Sequence, residues 1–182
     1  MKSIKIKAVL ASIVLFVVAG LATAAVPPAA PDKDGPELPS PLCDHVRVPE
    51  GNKVAFHVYA DGVQIYTWNG ASWTFVEPMA KIFADANYEG KVGTHYRGPT
   101  WESNSGSTVV GARLFGCTPD ATAIPWLLLE AVSTGGPGIF SSVTYIQRVN
   151  TTGGVAPAGP GSSIGETVQI PYKAEYYFYR EQ

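Results

Sequence analysis

The residues that most readily do chemistry are scarce in this sequence: three histidines and two cysteines in 182 positions. His45, His57 and His95 lie far apart, at none of the short spacings that put two imidazoles on one metal. Cys43 and Cys117 lack the close Cys-x-x-Cys pairing that zinc sites use. No metal site and no cofactor is expected. Phosphate loops are missing too, since there is neither G-x-x-x-x-G-K nor a G-x-G-x-x-G between strand and helix. Beyond Lys7 no run of Lys or Arg occurs, which argues against nucleic acid and anionic membrane surfaces as partners. Gly161-Ser162-Ser163-Ile164-Gly165 matches the G-x-S-x-G nucleophile elbow in letters only. An elbow needs a strand before it, a helix after it and a later histidine, and none follows His95. It reads as a glycine-serine loop.

What is present begins with M-K-S-I-K-I-K, an almost uncharged run from Ala8 to Leu21, and the small residues Ala22-Thr23-Ala24. These are the parts of a secretory signal peptide over residues 1–24. The apolar run of about 14 residues is too short to cross a hydrocarbon core of about 30 Å, so no stable membrane insertion is expected after cleavage. A secreted or periplasmic location follows. Residues 25–41 form a Pro-rich tether, and a single domain is expected over 42–180. In an oxidising compartment, Cys43 and Cys117 are expected to pair as a disulfide.

Within that domain the pattern is all-β. K-V-A-F-H-V-Y-A, V-Q-I-Y-T-W and A-S-W-T-F-V are separated by Asp61-Gly62 and Asn69-Gly70, the dipeptides that two-residue hairpin loops prefer. This predicts a three-stranded meander with His57, Tyr59, Gln64, Tyr66, Trp68, Trp73 and Phe75 on one face. Val54, Phe56, Val58, Val63, Ile65 and Val76 form the other, aliphatic face. Further strands are expected near 91–97, 107–114, 124–132, 139–149 and 168–179. Only E-P-M-A-K-I-F-A-D-A-N, Glu77 to Asn87, suits a short helix. The fold class is a β-sandwich or closed β-barrel with long Gly/Pro loops and at most one short helix.

The stretch G-T-H-Y-R-G-P-T-W-E, Gly93 to Glu102, reads as a strand, a sharp turn at Gly98-Pro99 and another strand. His95 and Glu102 are the weak catalytic candidates. No spacing fixes a partner for the histidine, and glycoside hydrolysis needs a second carboxylate facing the first. Glu130 and Arg148 interrupt apolar strands. Two readings stand for them: they pair with each other or with a site group, or each rests at a sheet edge with its head in water. Aromatic side chains with polar tips suit stacking on sugar rings, so His57, Gln64, Tyr66, Trp73, Trp101 and Arg148 are the candidate ligand-binding residues.

Several motifs occur in order: G-V-Q-I-Y from Gly62, G-T-H-Y-R-G-P-T-W-E, S-T-V-V-G from Ser107, I-P-W-L-L-L-E-A from Ile124, Y-I-Q-R-V-N-T-T-G-G from Tyr145 and P-Y-K-A-E-Y-Y-F-Y from Pro171. Together they resemble the uncharacterised exported family called domain of unknown function 3455, over roughly Leu42 to Tyr179. The resemblance implies secretion and a compact domain, and no activity. Where many relatives carry a cysteine after the G-V-Q-I-Y tyrosine, this chain has Thr67 and Trp68. Three functions stay open on the sequence. The first is a non-enzymatic module binding carbohydrate or a cell-envelope polymer. The second is a hydrolase or lyase acting on an extracellular polysaccharide through His95 and Glu102, and the third a purely structural secreted protein.

Overall fold

The computed structural model describes residues 35–182; the expected signal peptide and most of the tether lie outside the described residues. After a 3-10 turn at Asp44–Val46 come eight strands: β1 (Asn52–Trp68), β2 (Trp73–Phe83), β3 (Lys91–Tyr96), β4 (Thr100–Ser103), β5 (Thr108–Cys117), β6 (Trp126–Gly135), β7 (Tyr145–Gly153) and β8 (Thr167–Glu181). Each pairs antiparallel with the next in the chain, and β1 pairs with β8, so the sheet closes into a barrel. The all-β expectation holds, in its barrel form. No helix among the described residues is long and apolar enough to cross a membrane.

The meander differs from the sequence reading. Asp61-Gly62 is no turn: β1 runs straight through it, with Gly62 paired to Ala80 on one side and Tyr172 on the other. Two flanking strands supply continuous ladder partners here, and that tertiary pairing outweighs the local turn preference. Glycine serves a different purpose. A Cβ on Gly62 would fall 2.3 Å from the Met79 carbonyl oxygen and 2.4 Å from the Ala80 Cα, so only a bare backbone allows this approach.

Because β1 is unbroken, its faces are not those of a hairpin. Val58, Ala60, Gln64 and Tyr66 are buried, while His57 and Tyr59 between them are only partly so. The expected aromatic face is therefore divided by the barrel wall: His57 and Tyr59 go outside, Gln64 and Tyr66 inside. The chain does reverse at Asn69, through a four-residue loop in which Asn69 Oδ1 accepts from the backbone of Ala71 and Ser72, both at 2.9 Å. Trp68 then pairs with Trp73, and Tyr66 with Phe75. The expected two-residue loop had the register wrong by two positions, which leaves the side-chain parity unchanged.

The expected helix at Glu77–Asn87 is instead the second half of β2 and the loop after it. Pro78, Ala80 and Ile82 are buried while Met79 and Lys81 are exposed, a period of two rather than 3.6. Pro78 is tolerated beside the β-bulge at Ile65/Tyr66, where the ladder is already interrupted.

Small and large residues alternate in the interior. Ala60, Ala80 and Ala174 leave room for Trp101, Tyr176 and Phe178. One end is filled by aromatic rings: Phe56 stacks on Phe178 with centroids 4.7 Å apart, and Phe140 lies 5.1 Å from Phe178. The β6–β7 loop delivers Phe140, whose N–H donates to Ser107 Oγ at 3.1 Å. A second apolar cluster lies outside the barrel, where Cys43 and Val46 pack with Trp126, Leu128 and Val149. Cys43 is disulfide-bonded to Cys117, and Gln147 Nε2 donates to the Val46 carbonyl at 2.7 Å. The segment before β1 is thus strapped to the outer wall.

Gly62→Ala is expected to lower unfolding stability by about 2–3 kcal/mol through the backbone clash. Gly159→Ala, where an added Cβ meets nothing within 4 Å, should change it by less than about 0.5 kcal/mol. Urea unfolding of both variants checks this, and equal midpoints would refute the close-approach account. Reducing the disulfide closes off no buried contact but frees the unfolded chain over a separation of 74 residues. A loss of about 2–4 kcal/mol is expected in reducing buffer, and an unchanged melting temperature would count against it.

Candidate functional site

At the end opposite Phe140 the barrel is not filled. A cavity of about 590 Å³ opens there, walled by Pro78, Pro99, Trp101, Ile124, Leu127 and Leu129 among others. The sequence builds its mouth from local irregularities. The bulge opposite Ile65/Tyr66 brings both Phe75 and Val76 to the rim. Gly98, with φ of 97°, turns the chain so that Pro99 overhangs the opening. Leu127 and Leu129 come from β6, and Arg148 faces in from β7, paired with Leu127 and Tyr176.

The polar groups are concentrated among these apolar walls. Tyr66 donates its hydroxyl to the Gly154 carbonyl at 2.7 Å, pinning the start of the β7–β8 loop beside the cavity. Arg148 donates from Nε and Nη2 to the Pro125 carbonyl, at 3.1 and 2.8 Å. It forms no ion pair with a carboxylate among the described residues. His95 lies flat on Trp101, with centroids 4.2 Å apart and planes 10° from parallel. Its Nδ1 is 2.9 Å from the Thr100 carbonyl oxygen, which can only accept, so Nδ1 carries the hydrogen. Burial pushes His95 down to about 3, with the Thr100 bond opposing and the Arg148 charge assisting. The ring is neutral near pH 7.

Beside Arg148, the hydroxyls of Tyr176 and Tyr172 and the amide of Gln64 follow one another along the inner wall. Gln64 lies within hydrogen-bonding reach of Tyr172, Tyr172 of Tyr176, and Tyr176 of Arg148, though among the described residues Gln64 Nε2, Tyr172 Oη and Tyr176 Oη form no hydrogen bond of regular geometry. Trp101 Nε1 likewise has no partner among the described residues. Burial raises both phenols, Tyr172 strongly, so both keep their protons.

Of the residues singled out in the sequence, Gln64, Tyr66, His95, Trp101 and Arg148 meet at this cavity. The others do not. His57 is on the outer wall, 3.0 Å from Glu175 and stacked on Tyr177 at 4.0 Å. Trp73 is off the cavity lining, its Nε1 donating to the Gly159 carbonyl at 2.9 Å. Glu102 pairs with Thr94 on the outside and accepts from the Tyr96 hydroxyl at 2.8 Å. His95 and Glu102 thus stand on opposite sides of the barrel wall and form no acid–base pair. Glu130 is exposed while Arg148 reaches into the cavity, so the two strand charges do not pair either. Tyr172, Tyr176 and Arg113 were missed. The signal lay in β8, where tyrosines recur every fourth residue on the inward face: a purely structural core would have little use for their hydroxyls.

Fold and cavity together define a closed antiparallel barrel with one blocked end and a mixed apolar and cationic chamber at the other. The chain belongs to the family of proteins of unknown function DUF3455, whose model matches residues 49–180. That stretch takes in every cavity residue named above and leaves Cys43 just outside it. No curated protein and no solved structure matches the chain.

The neutral state of His95 has a consequence for stability. An unfolded chain protonates this histidine near pH 6.5, whereas the folded one resists until about 3. Between those values the unfolded state binds more protons, so stability falls as pH falls, by up to about 1.4 kcal/mol per unit. Above about pH 6.5 His95 contributes no slope. In urea unfolding at about pH 7.5 and about pH 5, His95→Gln should lose less stability on acidification than the parent. Parallel losses in the two proteins would show that His95 is not the group responsible.

Proposed function

We propose that the protein is a non-enzymatic exported binding protein that takes a small, largely apolar molecule into the barrel cavity. The observation that carries this is the unfilled chamber itself. A folded barrel gains by packing its interior, and here Leu127, Leu129, Ile124 and Trp101 surround space of the size that small-molecule sites use. The disulfide is compatible with an oxidising compartment, in keeping with the signal-like start of the chain. Carbohydrate fits less well. Its appeal rested on one continuous aromatic face, and that face is split between the two sides of the wall. Sugars also need many hydrogen-bonding groups around each ring, whereas the larger part of this lining is apolar, including Phe75, Val76, Pro78, Ile124, Leu127 and Leu129. Catalysis on a polysaccharide through His95 and Glu102 is not favoured, since the two side chains stand on opposite faces of the wall.

The test uses N-phenyl-1-naphthylamine, a neutral apolar fluorophore, titrated into the purified full domain. Saturable binding is expected, with at least about ten-fold weakening in Leu127→Trp, whose larger ring occupies the chamber. Circular dichroism confirms that the variant is folded. Failure of the fluorophore to bind, or binding untouched by Leu127→Trp, would remove the cavity from consideration. Saturable binding of soluble glycans in its place would restore the carbohydrate reading.

A further inference from the structure

Resting on that cavity-binding reading, we propose that the ligand carries a single carboxylate, held by Arg148 with neutral donors from Gln64 and Tyr176, while its apolar body lies against Leu127, Leu129 and Trp101. Four observations converge on this ligand class.

The first is the uncompensated charge. No Asp or Glu lines the cavity, and Arg148 has no carboxylate partner among the described residues. Arg148 is partly buried, and its guanidinium, unlike a lysine or histidine, keeps its charge there. Its only hydrogen-bond acceptor of regular geometry is the Pro125 carbonyl, taken by Nε and one Nη2 hydrogen, so further N–H groups are left to donate.

The second is position. The charge of Arg148 depresses the protonation of His95 and favours ionisation of Tyr66, Tyr172 and Tyr176, groups carried on β1, β3 and β8. The charge thus reaches groups on three strands around the chamber, and no carboxylate lining the chamber opposes it among the described residues. His95, which could have added a second positive charge, is held neutral. Arg113, at the lip and exposed, adds only a solvent-screened attraction.

The third is a set of under-satisfied polar groups. Gln64 is 3 % exposed, Tyr172 2 %, Tyr176 1 % and Trp101 1 %. Among the described residues the indole N–H of Trp101 has no partner, and Gln64, Tyr172 and Tyr176 meet only one another and Arg148, without a hydrogen bond of regular geometry. Leaving such groups buried and unsatisfied is costly, and a native interior does so rarely. Gln64, Tyr176 and Trp101 line the cavity, and Tyr172 lies next to Gln64 and Tyr176. A bound oxyanion accepts from exactly these kinds of groups.

The fourth is stoichiometry of charge. One interior guanidinium with neutral phenol and amide donors matches a planar monoanion, which arginine can grip through two parallel hydrogen bonds. A phosphate dianion would leave net negative charge among apolar walls. Carboxylate is the better match.

The experiment compares naphthalene-2-acetate with naphthalene-2-acetamide by isothermal titration calorimetry on the full domain near pH 7. The two probes have nearly the same shape and differ in charge. The acid is expected to bind at least about ten-fold tighter than the amide, with the preference shrinking in high salt. Arg148→Met should abolish the preference by weakening the acid far more than the amide, and Arg148→Lys should retain part of it. If Arg148→Met does not fold, the parent protein's acid–amide ratio and Arg148→Lys decide the matter. Equal binding of acid and amide to the parent protein overturns the carboxylate assignment and leaves the cavity reading intact. So does a preference that survives Arg148→Met, or tighter binding of 2-naphthyl phosphate than of the acid. No binding by either probe or by the neutral fluorophore overturns both.

Discussion

Pairing of β1 with β8 is the contact on which everything else depends. It extends from Asn52 opposite Glu181 to Thr67 opposite Thr167, nearly the whole length of both strands. Without it the sheet would have two long edges, each a row of unpaired N–H and C=O groups open to other chains. With it there is an inside. Closure also decides which residues belong there, because strand parity admits only two choices. A slip of one residue would turn Gln64, Tyr66 and Tyr176 out to water and bring His57 and Glu175 in. The close approach at Gly62 and the register shifts at Val54/Phe56 and Ile65/Tyr66 are where the long strand bends enough to meet its neighbours around the circle.

The two halves of the interior obey different rules. Around Phe56, Phe140 and Phe178 the packing is aromatic on aromatic, and every group present gains from excluding water. Around Arg148 the side chains are polar, buried and short of partners. A protein selected only for stability would have replaced Gln64, Tyr172 and Tyr176 with leucine and phenylalanine, which have no hydrogen bonds to miss. Departures from local consistency tend to collect where a protein acts. In this barrel they collect at one end.

Much of the fold could be read directly because its signals are local. Tyr172, Ala174, Tyr176 and Phe178 alternate with Lys173 and Glu175, and that alternation belongs to a strand whatever it pairs with. The turn at Gly98-Pro99 needs only its own residues. Asp61-Gly62 was misread for the opposite reason: its conformation is set by β2 and β8, which lie far along the chain. That one error put His57 on the same side as Gln64, since parity carries along a strand and a false turn resets it. Pro78 misled similarly, as a helix-start residue that in fact sits beside a bulge. Part of the cavity was legible as an unusual density of polar-tipped aromatics. Its location was not, because Gln64, His95, Arg148 and Tyr176 come from β1, β3, β7 and β8 and meet only once the sheet has closed.

The aromatic plug formed by Phe56, Phe140 and Phe178 makes the barrel a cup and not a pipe. Nothing can be swept through it. On the proposed binding reading, an occupant arrives and departs by the open end, and the water it displaces leaves by the same route. Traffic is therefore single-file: a newcomer must wait for the occupant to withdraw, and cannot push it out from behind. On that reading, a vessel of this shape holds its cargo and exchanges it through the open end alone.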